Sequence, residues 1–99
     1  KVLSLKYKLR ASQHRKREEY QEAVTMCQYA LRILHEFLPD DYTWLADAHE
    51  LLGRCFYKLE KYSDALTNYY QVIEISDKAL LHSKIDIDTT WNMIILLHV

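Results

Sequence analysis

Leu51-Leu52-Gly53-Arg54-Cys55-Phe56-Tyr57-Lys58-Leu59-Glu60-Lys61-Tyr62-Ser63-Asp64-Ala65-Leu66-Thr67-Asn68-Tyr69-Tyr70 decides the reading of this chain. Up to Leu59 the apolar residues return at three- and four-residue steps, and after Glu60-Lys61 the same spacing resumes at Ala65, Leu66 and Tyr69. Those steps put them on one face of an α-helix, so the stretch is the end of one helix, a very short break and the start of another. Upstream, Leu45 and Ala48 carry the first helix back to Thr43, its expected cap. Downstream, Val72, Ile73 and Ile75 carry the second onward.

The same spacing recurs outside this stretch. Ala23, Met26, Cys27, Ala30, Ile33, Leu34 and Phe37 form the apolar face of an earlier helix, which Leu38-Pro39-Asp40-Asp41 stops because proline disfavours helix in the residue before it. A basic helix precedes it, and Asp86 or Asp88 caps a last one. The expected helices run over about 2–17, 19–37, 43–59, 61–80 and 88–98. One Gly and one Pro in 99 residues leave little with which to build hairpins of strands. The fold class is therefore all-α.

These helices repeat. A shift of 42 positions superposes Glu18 on Glu60, Tyr20 on Tyr62, Ala23 on Ala65, Thr25 on Thr67, Ile33 on Ile75 and Leu38 on Leu80, and also Leu3 on Leu45 and Leu9 on Leu51. A helical hairpin cannot bury its apolar face alone, so it stacks on its neighbours. The expected organisation is one domain over 1–99, with a degenerate first repeat at about 1–40, a second at 43–82 and the first helix of a third at 86–99.

The opening stretch resembles a tetratricopeptide repeat. The resemblance implies that Gly53 lets the paired helices approach, that Phe56 and Tyr69 fill the hairpin core, and that Ala65 sits where the helices cross. It also implies a right-handed α-solenoid of antiparallel hairpins. The long period is similar to that of kinesin light chains, although the asparagine pair of that type is replaced by Glu50-Leu51. The glycine usual between the two helices of a hairpin is Glu18 in one copy and Glu60 in the other, so the turn is expected to form without positive φ. Arg10 and His14 stand where a core leucine and an aromatic belong, which marks the first repeat as degenerate or end-capping.

Charge is unevenly spread over a chain of net charge −1. Residues 1–17 hold seven basic side chains and no acidic one, and the remainder holds six basic and fourteen acidic. Arg15, Lys16 and Arg17 suit the carbonyl end of a helix, so a solvated helix end accounts for them without a specific nucleic acid. An electrostatic partner at this end, nucleic acid or acidic membrane, would bind with steep salt dependence. Cys27 and Cys55 lie a hairpin apart and act as small hydrophobes, which with the lack of a signal or membrane-spanning run gives a cytoplasmic expectation. The five histidines lack metal-ligand spacing, and a single glycine rules out glycine-rich phosphate loops, so no enzyme, metal or cofactor is expected in this chain, although a parent protein could carry a catalytic domain elsewhere.

Register with the resembled family assigns a groove to the first helix of each hairpin. It places there Lys8, Leu9, Ser12 and Lys16, then Glu50, Leu51, Arg54 and Lys58, then Asn92 and Met93. An apolar strip at Leu9, Leu51 and Met93 flanked by basic side chains suits a protein or peptide partner that is acidic with hydrophobic anchors. The carboxylate clamp known in this family is not expected, since Lys8 matches it but Ser12, Leu51, Thr89 and Met93 do not. The expected role is a protein-interaction scaffold or adaptor. Two alternatives are a tyrosine-rich substrate-binding domain of a larger enzyme, suggested by eight tyrosines, and an oligomerisation segment using the apolar residues of 88–99 for self-association.

Overall fold

A computed structural model describes residues 2–78 and 87–98. Five helices follow in chain order, α1 (Val2–Lys16), α2 (Tyr20–Phe37), α3 (Tyr42–Lys58), α4 (Tyr62–Lys78) and α5 (Ile87–His98). The bounds agree with the apolar spacing to within two residues, apart from the extension of the fourth helix to residue 80, which lies outside the described residues. So do Leu80, the cap Asp86 and the boundary at residue 82, as well as the side chain of Leu3. Asp88 is not the cap of α5, because that helix already begins at Ile87 and Asp88 falls in its first turn. Thr43 is not the cap of α3. That helix begins at Tyr42 with Asp41 at the N-cap position, so Thr43 falls in its first turn.

Each helix packs on the next, α1 on α2, α2 on α3, α3 on α4 and α4 on α5, and α1 also touches α3. One apolar core runs through α1, α2, α3 and α4, with Ala23, Cys27, Leu34, Ala48, Leu52, Cys55 and Val72 inside it. A second cluster joins α4 to α5 through Ala65, Tyr69 and Ile94. Burying a Leu or Val side chain contributes about 1.5–3 kcal/mol, and no helix here could bury its face without a neighbour.

The two short turns overturn one expectation. Glu18 and Glu60 both take the left-handed conformation, with φ of 62° and 61°. The reason is the hydrogen-bond pattern that closes the helices. Glu19 N–H donates to the carbonyl of His14 at 2.8 Å and Glu18 N–H to that of Arg15 at 3.0 Å; Lys61 N–H donates to Phe56 at 2.8 Å and Glu60 N–H to Tyr57 at 3.0 Å. This 6→1 and 5→2 pair satisfies carbonyls that the helix end would leave open, and it requires a residue at positive φ. A left-handed residue other than glycine costs roughly 1–2 kcal/mol, which the two bonds and the packing that follows offset.

The period of 42 is thus visible in bonds as well as in letters. Thr25 Oγ1 donates to the carbonyl of Gln21 at 3.2 Å, and Thr67 Oγ1 to that of Ser63 at 3.0 Å. Ala23 and Ala65 are both fully buried. Where the hairpins differ, volume is exchanged: Ala11 and Cys27 of the first become Gly53 and Tyr69 in the second, and all four are buried. A Cβ on Gly53 would lie 2.8 Å from ring carbons of Tyr69, so the glycine is needed for close approach of α3 to α4.

The expected core faces of α3 and α4 are buried or half-buried as the spacing requires. Phe37 is the exception on α2 and stays 67% exposed. It lies in the last turn of the helix, and its ring borders an open depression formed by seven consecutive residues at the linker, Phe37–Thr43. Among the described residues no helix is long and apolar enough to cross a membrane.

Candidate functional site

Lys8, Ser12 and Arg15 succeed one another at helical steps along α1 and face Asp47, Glu50, Leu51 and Arg54 of α3 across a cavity of about 160 Å³. Lys8 Nζ donates to Asp47 Oδ2 at 2.9 Å and stands 4.8 Å from the centre of the Trp44 ring. One turn further along α3, Glu50 Oε1 accepts from Arg54 Nη2 at 2.8 Å, a glutamate placed four residues before its arginine in the favourable order. These pairs are partly exposed and contribute little stability, but they hold the cationic heads at fixed places.

Arg15 and Arg54 also wall a second cavity, of about 280 Å³, which extends to α5. Tyr20, Tyr57, Tyr69 and Met93 complete its apolar lining, and Lys58 adds a third cation. Among the described residues no carboxylate lines it. The Tyr69 hydroxyl and Arg15 Nε are buried without a hydrogen-bond partner among the described residues. Burial pushes the Tyr69 phenol up to about 12, against the opposing charge of Arg54, so it stays a neutral donor.

Of the residues assigned to the groove from the sequence, Lys8, Ser12, Glu50, Leu51 and Arg54 meet at the first cavity, and Arg54, Lys58 and Met93 at the second. Leu9, Lys16 and Asn92 are exposed and line neither cavity. Leu9, Leu51 and Met93 share one register position without sharing an environment. Leu9 is 55% exposed, Leu51 only 8%, and Met93 lies between. The continuous apolar strip expected from register is therefore broken, because α3 is covered by both α2 and α4 whereas α1 is covered by α2 alone apart from its edge on α3.

Sequence reasoning missed Arg15, Tyr20 and Tyr69 as lining residues. Arg15 reads as one more cation at a helix end, yet it is three residues beyond Ser12 and one 42-residue step before Tyr57, and both relations signal the same face. Tyr69 reads as core, which it is; that its ring also walls a cavity carries no signal in the sequence.

The remaining polar groups serve packing. His49 Nδ1 lies 2.9 Å from Asn68 Oδ1. Asn68 Nδ2 donates to the carbonyl of Asp64 at 2.8 Å, which turns its oxygen toward the ring, so Nδ1–H is the donor. Burial lowers the His49 pKa below its usual 6.5, while the bond to Asn68 opposes the shift. Cys27 and Cys55, a hairpin apart in sequence, share one core. Cys27 Sγ donates to the carbonyl of Ala48 at 3.0 Å, and burial, with a smaller contribution from Cys55, pushes its thiol up to about 12. Burial likewise raises Cys55 to about 11, so neither thiol is a nucleophile near neutral pH. Among the described residues no group of three histidine, cysteine or acidic side chains is placed to hold a metal ion.

A family model described as the tetratricopeptide repeat matches residues 2–78, from α1 to the end of α4. No curated protein and no solved structure gives a significant match. Helices that pack each on the next, two Glu-centred turns 42 residues apart and a match over most of the chain agree, and the chain belongs to the tetratricopeptide repeat family.

Proposed function

We propose that the chain is a protein-interaction module, a scaffold or adaptor segment acting in the cytoplasm, which holds a partner protein on the face made by α1, α3 and α5. Repeats of this family generally mediate binding between proteins. The observation that carries the reading here is the pair of cavities sharing Arg15 and Arg54, with side chains from separate helices converging on them. Cavities of about 280 and 160 Å³ fall below the roughly 300–1,000 Å³ of small-molecule pockets and suit single side chains of an extended segment of another protein. Catalysis has no support in the buried, neutral cysteines or in the histidine that is bonded to Asn68.

Arg54→Glu together with Lys58→Glu is expected to abolish capture of partners by the 99-residue chain while leaving its melting temperature within a few degrees. Arg32→Glu, on the exposed side of α2 beside Tyr29, is the control and should capture the same partners as the native chain. Equal loss in both, or in neither, would move the site away from this face.

A second reading, self-association, is favoured by Trp91, Ile95 and Leu96, which stay exposed on α5 while Thr90 and Ile94 pack inward. Sedimentation over a hundredfold range of concentration should then show a dimer that Ile95→Lys dissolves. The tyrosine-lined groove for a proline-rich chain has less behind it. Tyr7 pairs with Tyr29 and Tyr70 with His98 away from the cavities, and the tyrosines that do converge stand among three cations.

A further inference from the structure

The cavity of Arg15, Tyr20, Arg54 and Lys58 has a counterpart one repeat along the chain. A cavity of about 220 Å³ is lined by Tyr57, Tyr62, Leu96 and Leu97. Adding 42 to the first set turns Arg15 into Tyr57, Tyr20 into Tyr62 and Arg54 into Leu96. The two compartments are thus the same place in successive repeats, and Tyr57 walls both. What changes is chemistry: two guanidinium groups in one are replaced by a phenol ring and an isobutyl group in the other.

Among the described residues no carboxylate lines the cationic compartment. Two of the residues that line it, Arg15 and Tyr69, carry buried donors, Nε and the hydroxyl, with no partner among the described residues. Arg54 is engaged by Glu50 through one nitrogen, and the Lys58 head is exposed. The acceptor that fits is an anionic oxygen group, and an Asp or Glu carboxylate is the form that a partner protein supplies without modification.

We infer that the chain recognises a segment of its partner in which an Asp or Glu side chain enters between Arg15, Arg54 and Lys58 and a neighbouring large apolar side chain covers the notch of Tyr57, Tyr62 and Leu96. This rests on the reading of the α1, α3 and α5 face as the binding face, and it adds the order of the two anchors. The acidic anchor lies toward α1 and the apolar anchor toward α5, either side of the shared Tyr57 ring.

A library of random ten-residue peptides displayed on phage, selected against the 99-residue chain, tests it. Selected peptides are expected to carry Asp or Glu with Leu, Ile, Met or Phe within three residues. Synthetic copies should lose about tenfold in affinity when the acid is changed to its amide, the size expected of a charge-assisted contact. Lys58→Glu should remove the acid from the selected sequences but keep the apolar residue, and Leu96→Lys should do the reverse. Tyr69→Phe should weaken binding several-fold without lowering the melting temperature, a separation that a purely structural tyrosine would not give. Apolar peptides with no acid, an acid preference untouched by Lys58→Glu, or tighter binding of the phosphoserine version of the same peptide would each overturn the two-anchor assignment and leave the binding face standing. Failure to select any peptide would overturn both.

Discussion

The hairpins α1/α2 and α3/α4 follow one pattern 42 residues apart, yet they are not equally built. Among its described side chains α1 buries only Ala11 fully, while α3 buries eight residues from Leu45 to Cys55. Position in the stack explains the difference. α3 lies between α2 and α4, and α1 has one full neighbour. A helix covered on two sides must be small and apolar on two faces, whereas one covered on one side can carry Lys8 and Arg10 at little cost. The same asymmetry places Lys8 and Arg15 beside the groove residues of α3, so α1 supplies three of the seven residues that line the first cavity.

The largest break in this comparison is expected at the tight contact of the inner hairpin. Gly53→Ala, normally worth up to about 1 kcal/mol of stabilisation inside a helix, should instead destabilise by about 2–3 kcal/mol, because the new methyl group meets the fully buried Tyr69 ring. Thermal melts followed by circular dichroism would read it. Ala11→Gly at the equivalent outer position should cost only about 1 kcal/mol, the ordinary helix penalty. Equal effects at the two positions would mean that the two hairpins pack alike.

A smaller and opposite effect is expected at the turns. Glu18 and Glu60 hold positive φ, so Glu18→Gly and Glu60→Gly should each stabilise by about 0.5–1 kcal/mol, with urea midpoints rising together. Destabilisation by either would show that the glutamate side chain contributes more than its backbone strain costs.

The smallest effect belongs to pH. His49 has its folded pKa below the unfolded value, so the unfolded chain takes up a proton first as pH falls from about 6.5. The contribution of His49 is complete above that value, is lost progressively toward the lower folded pKa, and then stays lost. Stability should fall by less than about 1 kcal/mol between pH 7 and pH 5.5 from this group, and His49→Gln should flatten the profile in that window.

The stacking of helices was legible because apolar residues at three- and four-residue steps leave few alternatives, and the repeat was legible because Tyr20-Ala23 and Tyr62-Ala65 recur with their neighbours. The turns were not. A glutamate at positive φ has no signature in the sequence, since it is the hydrogen bonds around it that require the conformation. The candidate site was half legible. Register found Lys8, Arg54 and Lys58, but it treated Leu9 and Leu51 as equals although the stack exposes one and covers the other. Leu51→Asp would consequently disturb the core before it reported on binding. Register also left Arg15 at a helix end, because only the packing of α1 against α3 brings it to the cavities that Arg54 lines.

The claim that matters most is that this tetratricopeptide stack binds a partner on the α1, α3 and α5 face. Amide and guanidinium nitrogen–proton spectra of the labelled chain, recorded with and without a captured partner segment, test it most directly. Shifts concentrated at Arg15, Arg54, Tyr57, Lys58 and Met93 are predicted, with Tyr29, Arg32 and Glu74 unmoved. Shifts concentrated at Tyr29, Arg32 and Glu74, with Arg15 and Arg54 unmoved, would contradict it.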